Sequence, residues 1–274
     1  MATTKAASPK KSGFGGVKNA WVIIVICFAV AYSFYEFFLG NPDNFANGDK
    51  SGHPVNMLGT VYKGGIVVSV ILTLLCTVIA LGVERFFALR SAFGKMSLSK
   101  FTAQVKAAIK AGNFTEAKNL CNKMQGSVAN VVLASISAYE EVEKVGGMKK
   151  SQKVAKIQQA HEEATQLEMP TLQMNLPIIA TITTLGTLTA LFGTVLGMIN
   201  SFQALSSGGG ADSMALSAGI SEALVNTASG IFTSWFAVVF YNFFTNKIDK
   251  LTYALDEVGY TIAQTYEANH TEEA

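Results

Sequence analysis

One carboxylate, Glu222, stands in the stretch 215–244, which carries no other formal charge and is long enough to cross a bilayer. A charge in such a segment is costly, so an acid there points by default to a functional site. At helical spacing Glu222 is followed by Asn226, Ser229 and Thr233, which fall along one face. The adjoining row, Ala223, Thr227, Gly230 and Ser234, is small or hydroxylated, while Ile231, Phe232, Trp235, Phe236, Val239 and Phe240 supply an apolar remainder. One side of this helix suits lipid and the other suits something wet, polar or proteinaceous. The chemistry on offer is uptake and release of a proton by a buried carboxylate. A plainer reading is a Glu near a helix N-terminus that reaches back to the interface. The polar stripe running two or three turns deeper favours the first.

A second row lies in the preceding apolar segment, 176–202. Thr183, Thr187, Thr194 and Ser201 fall on one line, with Ala190 and Gly197 filling its missing turns and Gly186, Gly193 and Asn200 beside it. Gly193 and Gly197 form a small-xxx-small pair that lets another helix approach closely, and Gly230 offers the same on the facing helix. Two readings are open. Thr and Ser in membrane helices often satisfy backbone carbonyls or tighten packing. Beside a Glu-bearing helix, the two hydroxylated faces could instead line a proton route, with Thr183, Thr187, Ser201, Asn226, Ser229 and Thr233 along its wall. One acid is thin for a complete path, so a partner supplying a second titratable group is expected. The small-residue faces of these two helices also point to an oligomer.

The elements that must position these residues follow from composition. Of 274 residues half are hydrophobic and 15% charged, with mean hydropathy +0.32. That is too apolar for an ordinary soluble domain and too charged for a pure membrane bundle. The charges cluster between four long apolar segments, so the expected class is an all-α membrane protein with four transmembrane helices, two of them extended into a cytoplasmic bundle. The expected organisation is a disordered basic N-terminus (1–19), a first transmembrane helix (20–39) and a periplasmic loop (40–63). A second transmembrane helix (64–92) leads to a cytoplasmic helical region (93–175). A third (176–203), a periplasmic loop (204–214), a fourth (215–245) and a cytoplasmic helix with tail (246–274) complete it. The first apolar run ends in aromatics without a small-x-small cleavage site, so it reads as a retained span rather than a signal peptide.

Lys and Arg placement sets the orientation. Lys5, Lys10, Lys11 and Lys18 precede the first span, thirteen Lys and Arg lie in 84–175, and Lys247 and Lys250 follow the fourth span. Both termini and the middle segment are therefore expected in the cytoplasm. Cys27, Cys76 and Cys121 form no disulfide framework, and His53, His161 and His270 are scattered, so no metal or cofactor is expected. The run Gly208-Gly209-Gly210 lacks the Lys and Ser/Thr of a phosphate cradle and reads as a turn. No second acid, metal set or nucleophile pair is read on the spans, so the chain is not expected to be an enzyme.

In the middle segment, Phe101, Val105, Ala108 and Ile109 share a face, as do Val131, Val132, Ser135, Ile136 and Tyr139. Asn113 with Glu116 reads as an N-cap with a carboxylate at N3. The helix over 148–173 is expected to run almost directly into the third span, kinked at Pro170 and Pro177. The fourth span is expected to continue through Ile248, Leu251, Leu255, Val258 and Ile262.

At this point the residues resemble a known family. The run Leu191-Phe-Gly-Thr-Val-Leu-Gly-Met-Ile199 is similar to the LxGTVxGxx signature of the MotA/TolQ/ExbB proton-channel family. The runs Gly219-Ile-Ser-Glu-Ala-Leu-Val-Asn-Thr-Ala-Ser-Gly230 and Ala237-Val-Val-Phe-Tyr-Asn242 resemble its GIxEALxxTAxG and AVxxYN blocks, and residues 109–121 its cytoplasmic helical hairpin. The ExbB branch is the nearest. The resemblance implies a pentamer in the inner membrane of a diderm bacterium. It would surround helices of an ExbD-like partner that bears an intramembrane Asp. Proton flow would drive a TonB-like protein and so energise outer-membrane transport. A TolQ-like role in envelope maintenance, or another motor of the family, is the alternative. By the same resemblance Glu222 is the intramembrane acid, and Thr194 and Thr227 are pore-facing threonines. The sequence departs where the family often has Ala-Pro (Gly186-Thr187 here), Trp (Leu196) and Pro (Phe236), and the 20–39 span adds to a three-span core.

Overall fold

The structure is a computed structural model describing residues 16–17, 19–50, 52–207 and 213–271. Most of the expected disordered N-terminus and the Gly208–Gly210 turn lie outside the described residues. Among those residues the fold is helical: α1 (Ala20–Ser33), continued by a π-helical turn (Phe34–Leu39), α2 (Met57–Tyr62), α3 (Gly65–Ala92), α4 (Leu98–Lys110), α5 (Phe114–Met124), α6 (Ser127–Lys144), α7 (Lys150–Gln173), α8 (Leu176–Ser207) and α9 (Ser213–Asn269). An isolated bridge, Phe45 to Pro54, joins two turns of the 40–63 loop. Among the described residues four stretches are long and apolar enough to cross a membrane, Ala20–Leu39, Gly65–Ala92, Leu176–Gln203 and Leu216–Asn269. The chain divides into two compact units, one of Val17–Glu84 and Asn175–Phe243, the other of Arg85–Met174 with Phe244–Ala274 and the first residues.

In the first unit α8 and α9 meet along glycine. A Cβ on Gly197 would lie 2.9 Å from the Gly219 carbonyl, and one on Gly186 would lie 3.1 Å from the Gly230 carbonyl. Close backbone approach of this kind is what small-residue faces permit. Val67, Ile71 and Ala190 cluster together, and Gly82 admits the Phe240 ring of α9 against α3. The opposite sides of α8 and α9 leave Leu191, Phe192, Val195, Leu224, Ile231 and Trp235 exposed, as suits lipid or a neighbouring subunit.

The expected run of the cytoplasmic helix into the third span needs correction. The helices α7 and α8 are separate, broken at Met174 (φ −51°, ψ 139°) and Asn175 (φ 64°), with Pro170 inside α7. Asn175 Nδ2 donates to the Val17 carbonyl at 3.2 Å and to Glu84 Oε2 at 3.3 Å, which fixes a left-handed backbone that Asn tolerates. Pro177 falls in the first turn of α8, where its missing N–H would have had no helical partner.

In the second unit the predicted faces are buried. Phe101, Val105 and Ile109 of α4, Val131, Val132, Ile136 and Tyr139 of α6, and Leu251, Leu255, Val258 and Ile262 of α9 are all almost wholly inaccessible. The α9 positions recur at alternating spacings of three and four, the pattern that keeps one seam facing a partner helix. Asn113 caps α5 by accepting the Glu116 N–H at 3.1 Å. The return bond runs from its own side-chain amide to the Glu116 carboxylate at 3.0 Å, rather than from the backbone as in a capping box.

Candidate functional site

Glu222 is half-buried on the first turns of the spanning part of α9. Its carboxylate lies over the backbone that opens α3, where a Cβ on Gly65 would stand 3.0 Å from Oε1. Gly65 has φ 74°, a conformation that side-chain-bearing residues rarely adopt, and a Cβ on Gly64 would stand 3.0 Å from Val225. The pair Gly64-Gly65 is thus what lets the start of α3 reach the Glu222 face. The first N–H groups of α3 have no acceptor within that helix, and their end of the dipole favours negative charge.

One turn along, Thr194 of α8 and Thr227 of α9 join hydroxyl to hydroxyl at 2.6 Å. Both converge on the carbonyl of Ala223, Thr227 at 3.1 Å and Thr194 at 3.4 Å, and Thr194 is 2.9 Å from the Ala190 carbonyl. Asn226 is fully buried against Gly193, and neither its amide nitrogen nor its oxygen has a hydrogen-bond partner among the described residues. Thr233 is buried and donates to the Ser229 carbonyl at 3.0 Å. Ser201 is buried at the other end of the seam, donating to the Gly197 carbonyl at 2.9 Å, and Gly219 packs onto it. Thr183 and Thr187 turn back to their own helix, onto Ala180 at 2.6 Å and Thr184 at 2.9 Å. Of the sequence-predicted residues, then, Thr194 and Thr227 touch. Glu222 lies about one turn of α9 before the adjacent pair Asn226 and Thr227, and Thr183 and Thr187 stand apart. Gly193 and Gly230 pack on the facing helix, as does Gly197. The arrangement can hold a proton on one carboxylate at the head of a hydroxyl-bearing seam.

Sequence reasoning missed a second acid within a span. Glu36 lies in the first apolar stretch and pairs with Lys50 at 2.6 Å. It also missed Tyr35, Tyr62 and the Gly64-Gly65 pair. Ala20, Cys27, Ala31, Tyr35 and Leu39 are the buried positions of the first span, and their spacing of seven and then fours was the available signal.

The model of the MotA/TolQ/ExbB proton channel family matches residues 126–257, which carry Thr194, Glu222 and Thr227. Over that stretch, just under half of the 274 residues, the chain is similar to this family. Among curated relatives of the MotA/TolQ/ExbB family, the Tol-Pal system protein TolQ of Pseudomonas aeruginosa is 34% identical over 114 residues, 41% of this chain and 47% of the relative. The putative biopolymer transport protein ExbB-like 3 of Synechocystis sp. is 39% identical over 87 residues, 31% of this chain and 41% of the relative. The putative biopolymer transport protein ExbB homolog of Methanothermobacter thermautotrophicus is 25% identical over 199 residues, 71% of this chain and 66% of the relative. The chain spans less than half the length of the first two. The first span, the 40–63 loop and Gly64-Gly65 fall outside the family-matched residues.

Proposed function

We propose that this chain is the ExbB-like proton-channel subunit of an inner-membrane motor. It works with an ExbD-like partner, whose intramembrane Asp is the second titratable group, to energise TonB-dependent outer-membrane transport. The observation that carries the reading is the half-buried Glu222 carboxylate one turn from the Thr194–Thr227 hydroxyl pair. Both termini and the 93–175 segment lie in the cytoplasm, and five copies form the ring around the partner's helices, the number coming from the family resemblance. A proton taken up by Glu222 neutralises the one formal charge of 215–244, and passing it to the partner restores that charge. The alternation changes how the polar seam and the partner helix attract each other, which is the step that performs work.

A TolQ-like role is the second reading, favoured by the 34% identity to the Pseudomonas aeruginosa protein. Affinity capture of the full-length chain from its own membranes, with transport and envelope assays on a deletion strain, separates the two. The first reading expects a small ExbD-like protein in the complex and loss of TonB-dependent uptake with an intact envelope. Leakage of periplasmic contents with normal uptake would assign the TolQ-like role instead.

A further inference from the structure

The turn that reaches Glu222 is held from the first span, a segment outside the family-matched residues. Tyr35 is buried in the π-helical turn at the end of that span, where the Gly40 N–H donates back five residues to the Tyr35 carbonyl at 3.0 Å. A π turn re-aims the side chains that follow a regular helix and is frequent at functional sites. Here the Tyr35 hydroxyl donates to the carbonyl of Tyr62, the last residue of α2, at 3.0 Å. The two rings also stack, with centroids 4.7 Å apart. Tyr62 is followed directly by Lys63, Gly64 and Gly65, so the residue Tyr35 grips is the root of the turn lying under the Glu222 carboxylate.

A second fastening surrounds the first. Lys50 pairs with Glu36 at 2.6 Å and lies over the Tyr62 ring, 5.5 Å from its centroid. Gly40 leaves the space this needs, since a Cβ there would stand 2.7 Å from the Tyr62 ring. Asn44 donates to the carbonyls of Phe38 and Leu39, each at 2.9 Å, and accepts from Asn56, whose own oxygen caps α2 through the Gly59 N–H at 2.9 Å. Beneath these bonds Tyr35, Leu39 and Val68 form one apolar cluster, against which Val61, Tyr62 and Val225 pack. Val225 lies on α9 three residues beyond Glu222. First span, loop, α2 and acid are therefore one connected structure.

We propose that Tyr35 is a positioning residue for Glu222: by anchoring Tyr62 it presses the Gly64-Gly65 turn against the carboxylate and closes the direct outer approach to it. The Glu36–Lys50 pair locks that anchor, and the first span serves as the fixed post from which it works. The proposal rests on Glu222 as the titrating acid and on the orientation read from Lys and Arg.

The test measures outer access to position 222 in the full-length chain. Cys27, Cys76 and Cys121 are first replaced by Ala, and Glu222→Cys is then introduced as the reporter. A membrane-impermeant maleimide is added to whole cells. Tyr35→Phe keeps the ring stack but removes the hydroxyl, and Lys50→Met removes the ion pair. Each is expected to speed modification about fivefold, the change that loss of one hydrogen bond from the closed form produces. Lys50→Arg, which keeps the pair with Glu36, is expected to retain the slow rate. Equal rates in all backgrounds, or no reaction in any, would overturn the proposal. Lys50 is partly exposed, so its variant carries the comparison if Tyr35→Phe fails to accumulate. Because labelling does not depend on proton flux, the two ideas fail separately. A fully active Glu222→Gln removes the titrating role, whereas unchanged labelling beside an inactive Glu222→Gln removes only the positioning role.

Discussion

Asn226 is the residue whose surroundings suit it least. Its amide is fully buried between α8 and α9 with no hydrogen-bond partner among the described residues, and Gly193 opposite offers no polar atom from a side chain. A buried polar group without a partner costs about 1–3 kcal/mol, and an apolar replacement of similar shape relieves that cost. Asn226→Leu is therefore expected to raise the thermal stability of the purified chain by about 1–3 kcal/mol while lowering proton flux, since it removes polarity one turn from Glu222. Thermal unfolding in mild detergent, beside flux in proteoliposomes, checks both halves. A destabilised variant would show that the amide has partners after all. Ser234, buried against Gly186 with its hydroxyl also without a partner among the described residues, belongs to the same seam. Asn226 was legible from the sequence as a polar position on the acid's face. Its burial was not, because that depends on Gly193 bringing another helix to within contact.

At the scale of elements, the long C-terminal helix carries its own pH sensitivity outside the membrane. His161 of α7 is buried, with Nδ1 2.9 Å from Ser135 Oγ of α6, and its ring lies on Gly259 of α9, where a Cβ would stand 2.5 Å from Nε2. Burial pushes its pKa below the ordinary 6.5, against the smaller opposing pull of Asp256 on α9 and Glu162 on α7. The unfolded chain thus binds the proton more readily than the folded one. Stability supplied by the neutral ring is whole above pH 6.5 and falls as pH drops below it. The thermal midpoint of the unit that holds α4 to α7 and the end of α9 is expected to drop between about pH 7.5 and pH 5.5, and His161→Gln to flatten that dependence. A midpoint equally pH-sensitive in the variant would refute the assignment. The helices themselves were readable wherever a period was long and regular, as at Leu251, Leu255, Val258 and Ile262. The break at Asn175 was not, because a positive φ is fixed there by Val17 and Glu84, which are remote in sequence. Pro177 misled because it lies where a helix accepts proline at no cost.

At the scale of the whole molecule, four apolar stretches and a charged helical region were legible from composition, because a bilayer demands long uncharged helices whatever their packing. The role of the first span was hidden because it is apolar on every side, and only the spacing of Cys27, Ala31, Tyr35 and Leu39 marks the face that is buried. Broad apolar rows are exposed on α8 and α9, Leu191, Phe192 and Val195 on one and Leu224, Ile231 and Trp235 on the other. Native mass spectrometry in mild detergent is expected to give five copies, and a stable monomer or dimer would contradict the ring. The role of Glu222 as titrating acid is read from proton flux into proteoliposomes containing the chain and its co-purified partner. Glu222→Gln keeps the size and hydrogen bonding of the side chain but removes its exchangeable charge. Near-normal assembly with flux abolished is expected, with partial flux in Glu222→Asp. Full flux in Glu222→Gln would contradict that role.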